Sequence, residues 1–215
     1  FAVICSISFL VFFADQWHLE NTGQRGGSSG EDIGVKDAWT RTTGKNSVIV
    51  SILDGGFEEN HPDLINSWYV NSNEIPGNGM DDDANGLKDD VHGWNFSTNS
   101  KNLRYGFSPN HGTAVAGLIG ASVNGEGGAG VCFNCKLLPI VFSKDLDTII
   151  SAFGYAYAHG ASVISNSWGF SIGTPRTKAL EETISHVAKN GRGGLGTTII
   201  FAVNNAEVDA SRGPE

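Results

Sequence analysis

A single histidine, His111, opens the run "SPNHGTAVAGLIGAS" (residues 108–122), and no charged side chain follows it until Glu126. A helix starting here sets the imidazole at its N-terminus. The helix dipole disfavours a protonated ring there and leaves it able to accept a proton. Such a base works best when a carboxylate bonded to its other nitrogen holds the tautomer and offsets the charge gained in the reaction. Asp54 is the natural partner, since it ends the apolar run "VIVSIL" (48–53) and is followed by Gly55 and Gly56. Taken singly, His111 reads as well as a capping or core histidine, and Asp54 as a turn residue.

A second group suits metal chemistry. In "DDDANGLKDD" (81–90), Asp81, Asp83 and Asn85 alternate and are followed by Gly86, Leu87 and Asp89. Carboxylates at alternate positions, a glycine for the bend and a backbone carbonyl at Leu87 match the first part of a calcium loop. His92 stands where an EF-hand has its closing glutamate, and a solvated acidic loop is the plainer alternative. Cys132 and Cys135 form "CFNC", two ligands where zinc needs four, so a local disulfide or two packed thiols is expected. Gly125, Gly127 and Gly130 satisfy GxGxxG, but they follow a helix and precede a strand, the reverse of a dinucleotide site. Asn95-Phe96-Ser97 is a glycosylation sequon.

The elements that must position these groups alternate from residue 46 onward. The continuous apolar run at 48–53 predicts a strand covered on both faces, 136–142 a second buried strand, and 162–165 and 197–203 a third and a fourth strand. Residues 112–121 predict a helix that is apolar all round and therefore buried. Residues 147–160 and 177–191 predict two more helices, the latter with Ala179, Leu180, Thr183, Ile184, Val187 and Ala188 on one face and Gly191 at its end. This rhythm predicts an α/β fold: a doubly wound, mostly parallel sheet with helices on both faces. Ligands bind such sheets beyond the carboxyl ends of the strands. Asp54, Asn166, Ser167, Asn204 and Asn205 all follow strands, and His111 begins a helix returning to the same rim.

In these contexts the pieces support one another. "VIVSILDGGFEENHPDL", "HGTAVAGLIGA", "VISNSWG" and "IIFAVNN" resemble, in order, four landmarks of the subtilisin-like serine peptidases, and "QWHLENTGQ" resembles the opening of their mature domain. The resemblance runs from Asp15 to Asn205, the N-terminal portion of a catalytic domain. It implies that Asp54 orients His111, that His111 is the general base, and that Asn205 donates its amide to the oxyanion. It implies further that Ser167, Trp168 and Gly169 bind substrate backbone as an added strand, and that the acidic insert holds structural Ca2+. Gly55 and Asn204 depart from the pattern, where Thr or Ser and glycine are usual. The segment after "PIVF" is also short and lacks the Gly-rich stretch that walls the groove. These changes bear on substrate grip and leave one residue of ambiguity between Asn204 and Asn205.

The family's serine lies in a Gly-Thr-Ser block, and none occurs in this sequence. Ser167 lacks the glycine two residues upstream that a nucleophile elbow needs. The expectation is therefore a serine endopeptidase chain truncated before its nucleophile and inactive by itself. A non-catalytic peptide- or calcium-binding pseudopeptidase is the alternative. The 215 residues are 40% hydrophobic, carry a net charge of −9 and contain 29 glycines. One acidic globular body fits, with protein or peptide substrates as partners; nucleic acid and anionic membranes do not. The first fourteen residues, "FAVICSISFLVFFA", are uncharged and too short to span a bilayer. They read as an export-signal remnant on a secreted protein, with a buried N-terminal strand as the alternative. Domain organisation is then a leader over 1–14 and a partial peptidase domain over 15–215.

Overall fold

The computed structural model describes residues 10–104, 106, 108–170, 177–203 and 205. The first nine leader residues, Cys5 among them, and Asn204 lie outside the described residues. Among the described residues, five strands make one sheet: β1 (Ile49–Asp54), β2 (Trp94–Asn95), β3 (Lys136–Val141), β4 (Val163–Asn166) and β5 (Thr198–Phe201). Their order is β2-β3-β1-β4-β5, and every neighbouring pair is parallel. The helices are α1 (Val35–Trp39), α2 (Pro109–Gly120), α3 (Leu146–Ala158) and α4 (Lys178–Gly194). The α/β parallel architecture expected from the sequence is the one observed. β2 and α1 were not foreseen, being too short, at two and five residues, to carry a periodic pattern.

Alternation along β1 explains why both faces are covered. Leu53 points into a cluster with Leu138, Ile140, Phe153 and Ala156 of α3, and Leu180 and Val187 of α4. Val50 and Ile52 point the other way, onto Leu137, Phe57, Trp68 and Ala116 of α2. A third cluster joins Leu10 and Phe13 to Leu19, Val35, Trp39 and Phe133. Packing therefore crosses the boundary expected between residues 14 and 15. Among the described residues, no helix is long and apolar enough to cross a membrane.

One helix differs from expectation. α2 is not buried all round: Ala114 is exposed and Leu118 is 51% exposed. It is an outer layer, pressed on the sheet through Ala116 and through Gly120, where a Cβ would overlap the Leu137 side chain. A lack of charge reports mean hydropathy, not which side faces water. α4 leaves helical geometry at Gly191, where the sequence predicts its end.

Chain order places the topological switch at β1. The connection through α2 leads to β3 on one side of β1, and the connection through α3 leads to β4 on the other. The crevice beyond β1 and β4 is where such a sheet opens to ligands. Asp54 ends one of these strands and Ser167 follows the other.

Candidate active site and acidic loop

Asp54 is only 2% exposed. Its carboxylate accepts a hydrogen bond from the Gly55 N–H at 2.7 Å, and His111 Nδ1 lies 2.9 Å from each carboxylate oxygen. His111 is the third residue of α2, and its side chain is half exposed. Burial pushes the Asp54 carboxyl above its ordinary value, while the Gly55 amide and His111 pull it back. An ionised Asp54 fixes the Nδ1–H tautomer and leaves Nε2 as the ring's proton acceptor.

The other rim residues arrive from the far side of the switch. Ser167 and Trp168 are half-buried and Gly169 is exposed. The Trp168 ring packs on Phe142, beyond β3, and on Phe201 at the end of β5. Asn166 ties the two strand ends together. Its Nδ2 donates to the Ile200 carbonyl at 3.0 Å, and its own carbonyl accepts from the Ala202 N–H at 2.9 Å. Asn205 follows as an exposed residue. A cavity of about 370 Å³ opens elsewhere, between Glu59, Asp89, His92 and Lys101, and does not include the Asp54–His111 pair.

The acidic loop distributes its carboxylates differently from the alternating pattern. Asp81 accepts from the Asn85 and Gly86 N–H groups and so closes its own turn. Asp89 accepts from the Gly77 and Gly79 N–H groups and pairs with Lys101 at 2.9 Å. Asn85 spends its side chain on the Leu87 N–H and on Asp90. Asp83 instead meets Glu74 and Asp90, with oxygens of all three within 4.8 Å of one another. Sequence reasoning missed Glu74 and Asp90, because Glu74 lies seven residues before the acidic run and Asp90 falls off the alternate positions.

Glu74 and Asp90 are both buried. Among the described residues their hydrogen bonds come from neutral donors: the Asp82, Asp83 and Asp89 N–H groups for Glu74, and Asn71, Asn85 and the Tyr155 hydroxyl for Asp90. His159 Nε2 stands 3.8 Å from Asp90, but burial pushes its imidazole down, towards the neutral form. Three clustered carboxylates without a full counter-charge, all offering oxygen, are the donor set of a hard divalent cation.

The profile of the Peptidase S8 group, described as the subtilase family, matches residues 45–214. The chain belongs to the subtilase family. A PC3-like endoprotease (variant B) of Hydra vulgaris is 29% identical over 209 residues, covering 90% of this chain and 26% of that protein. Mouse furin is 29% identical over 204 residues, covering 90% of this chain and 22% of furin. The subtilase chain thus spans about a quarter of the length of these curated relatives. The serine protease of Aeromonas sobria shares the fold with a TM-score of 0.67 at 23% identity, over 90% of this chain and 32% of that one.

Smaller features of the subtilase chain also resolve. Cys132 and Cys135 are disulfide-bonded. Asn95 of the sequon is buried in β2, with its Nδ2 donating to the Asn102 carbonyl at 2.8 Å. Two of the GxGxxG glycines serve close packing: a Cβ at Gly127 would overlap the Asp63 carboxylate, and one at Gly130 the Ala121 amide, while Gly125 takes a positive φ in open space. Gly112 matters most, because a Cβ there would overlap the Gly56 carbonyl and press on Asp54 and Phe57. Replacing Gly112 by alanine is expected to cost about 1–3 kcal/mol in denaturant unfolding. It should also separate His111 from Asp54.

Proposed function

We propose that this chain is the N-terminal portion of the catalytic domain of an exported serine endopeptidase that cuts peptide bonds in proteins. The observation that carries the reading is the Asp54 carboxylate seated 2.9 Å from His111 Nδ1 at the carboxyl rim of a parallel sheet. His111 Nε2 takes the proton of a serine hydroxyl as that oxygen attacks the scissile carbonyl, and Asp54 stabilises the imidazolium formed. Asn205, on the stretch led out of β5, donates its amide to the oxyanion. Ser167, Trp168 and Gly169 present the edge on which substrate backbone aligns. Export agrees with the apolar start of the sequence and the Cys132–Cys135 bond.

Glu74, Asp83 and Asp90 are the carboxylates proposed to hold Ca2+, with Asn85 reaching them through Asp90. Bound there, the ion supplies charge neutralisation for the loop between β1 and β2. Asp81, Leu87 and Asp89, ligands on the alternating pattern, sit around that cluster and close the loop.

These 215 residues contain no Gly-Thr-Ser block, so a fluorophosphonate probe should leave them unlabelled. Joined to a serine-bearing subtilase C-terminal part, the chain should label, and His111→Ala should abolish the labelling. A joined, folded chain that labels equally well with His111→Ala would overturn the assignment of the base.

A further inference from the structure

The Asp54–His111 contact joins two elements 57 residues apart in sequence, and something must hold them at hydrogen-bond distance. The start of α2 is not fixed by a cap, since Ser108 makes no side-chain capping bond. Among the described residues, three other ties reach from the stretch Gly106–Thr113 to the segment just after Asp54. The Ser108 N–H donates to the Gly55 carbonyl at 3.0 Å. Gly106 and Gly112 lie so close to the Gly55 and Gly56 carbonyls that neither has room for a Cβ. Thr113 Oγ1 accepts from the Glu58 N–H at 2.9 Å. The first two ties are made by backbone; only the third depends on a side chain.

We propose that Thr113 is a positioning residue: by holding the Glu58 N–H it draws the first turn of α2 onto the turn after β1, at the separation where His111 Nδ1 meets both Asp54 oxygens. Thr113 lies two residues past His111, and Glu58 lies four past Asp54, so their bond closes a short bracket around the pair. Slippage of α2 by about 1 Å would stretch the histidine contact beyond useful range, and misplacements of that size are costly in catalysis. The inference rests on reading Asp54 and His111 as the catalytic pair, but it can fail while that reading stands.

The His111 Nδ1 proton is the readout, followed by NMR in the 215-residue chain. Bonded to Asp54, it should exchange slowly with water in the wild type. Thr113→Val keeps shape and removes the acceptor; it should speed this exchange about tenfold, the loss of one net hydrogen bond, or abolish the signal. Thr113→Ser should restore protection, and backbone amides of β1 and β3 should exchange as in the wild type throughout. If Thr113→Val fails to fold, Thr113→Ala compared with Thr113→Ser gives the same test. A Val or Ala variant as protected as the wild type overturns the role of Thr113 alone. A wild type with no protected Nδ1 proton overturns the pairing itself, and both readings with it.

Discussion

Replacing Asp54 by asparagine is expected to lower kcat about ten-thousandfold in a chain that carries the serine, the loss seen when an orienting carboxylate of a serine-peptidase triad is replaced. The cause is tautomeric. An asparagine amide that donates to Nδ1 leaves the proton on Nε2, so the ring can no longer take the serine's proton. The substrate contacts proposed for Ser167–Gly169 are untouched, so KM should change little. A kcat within tenfold of the parent would remove Asp54 from the mechanism.

The same substitution should act oppositely on stability. Burial raises the Asp54 carboxyl above its unfolded value. Such a group favours the fold fully below the unfolded carboxylate range. That contribution is lost as pH rises through the higher folded value. At neutral pH the ionised, buried Asp54 is therefore a cost that asparagine does not carry. The stability of Asp54→Asn relative to the parent should climb from acid to neutral pH, read by urea midpoints across that range. A difference that falls with pH would mean that His111 and Gly55 outweigh burial. Loss of activity with gain of stability is the pattern of a site kept for chemistry.

How far the sequence reveals this arrangement depends on the range of the interactions involved. The runs at 48–53, 136–142, 162–165 and 197–203 lie within a few residues of β1, β3, β4 and β5, because apolar continuity is local; β1 and β3 are buried almost throughout, whereas β5, at the end of the strand order, is mostly exposed. The meeting of Asp54 and His111 was also legible, since a strand end and a returning helix start share one rim. The Glu74–Asp83–Asp90 cluster was not legible residue by residue. Alternation in "DDDANGLKDD" is a pattern for one loop form, whereas the chain folds back so that Glu74 and Asp90 close on Asp83. That closure depends on Tyr155 of α3, whose hydroxyl donates to Asp90 at 2.6 Å from 65 residues away. The solvent side of α2 was hidden for a related reason: Leu118 and Ala114 are as apolar as Ala116, and only the position of the sheet decides which is covered.

Calcium is expected to raise the melting temperature by about 5–10 °C. At a hundredfold excess over Kd a ligand specific to the native state adds about 2.7 kcal/mol, and about 2–4 °C per kcal/mol applies to a chain of this size. Chelation should reverse the shift. The carboxylate variants separate the clustered set from the alternating one. Glu74→Gln and Asp83→Asn should abolish the calcium response and, without calcium, raise the melting temperature by easing repulsion among the clustered acids. Asp89→Asn breaks the Lys101 pair and leaves one oxygen where two now accept from Gly77 and Gly79; it should lower stability with or without calcium while leaving the response intact. A response abolished by Asp89→Asn and kept in Glu74→Gln would return the site to the alternating positions. The same loop runs from the segment after β1 to β2, whose neighbour β3 pairs with β1 along its whole length to Asp54. β3 thus stands between the strand that ends this loop and the central strand that carries Asp54, so the proposed cation would act on the frame of the sheet and not on the proposed reaction.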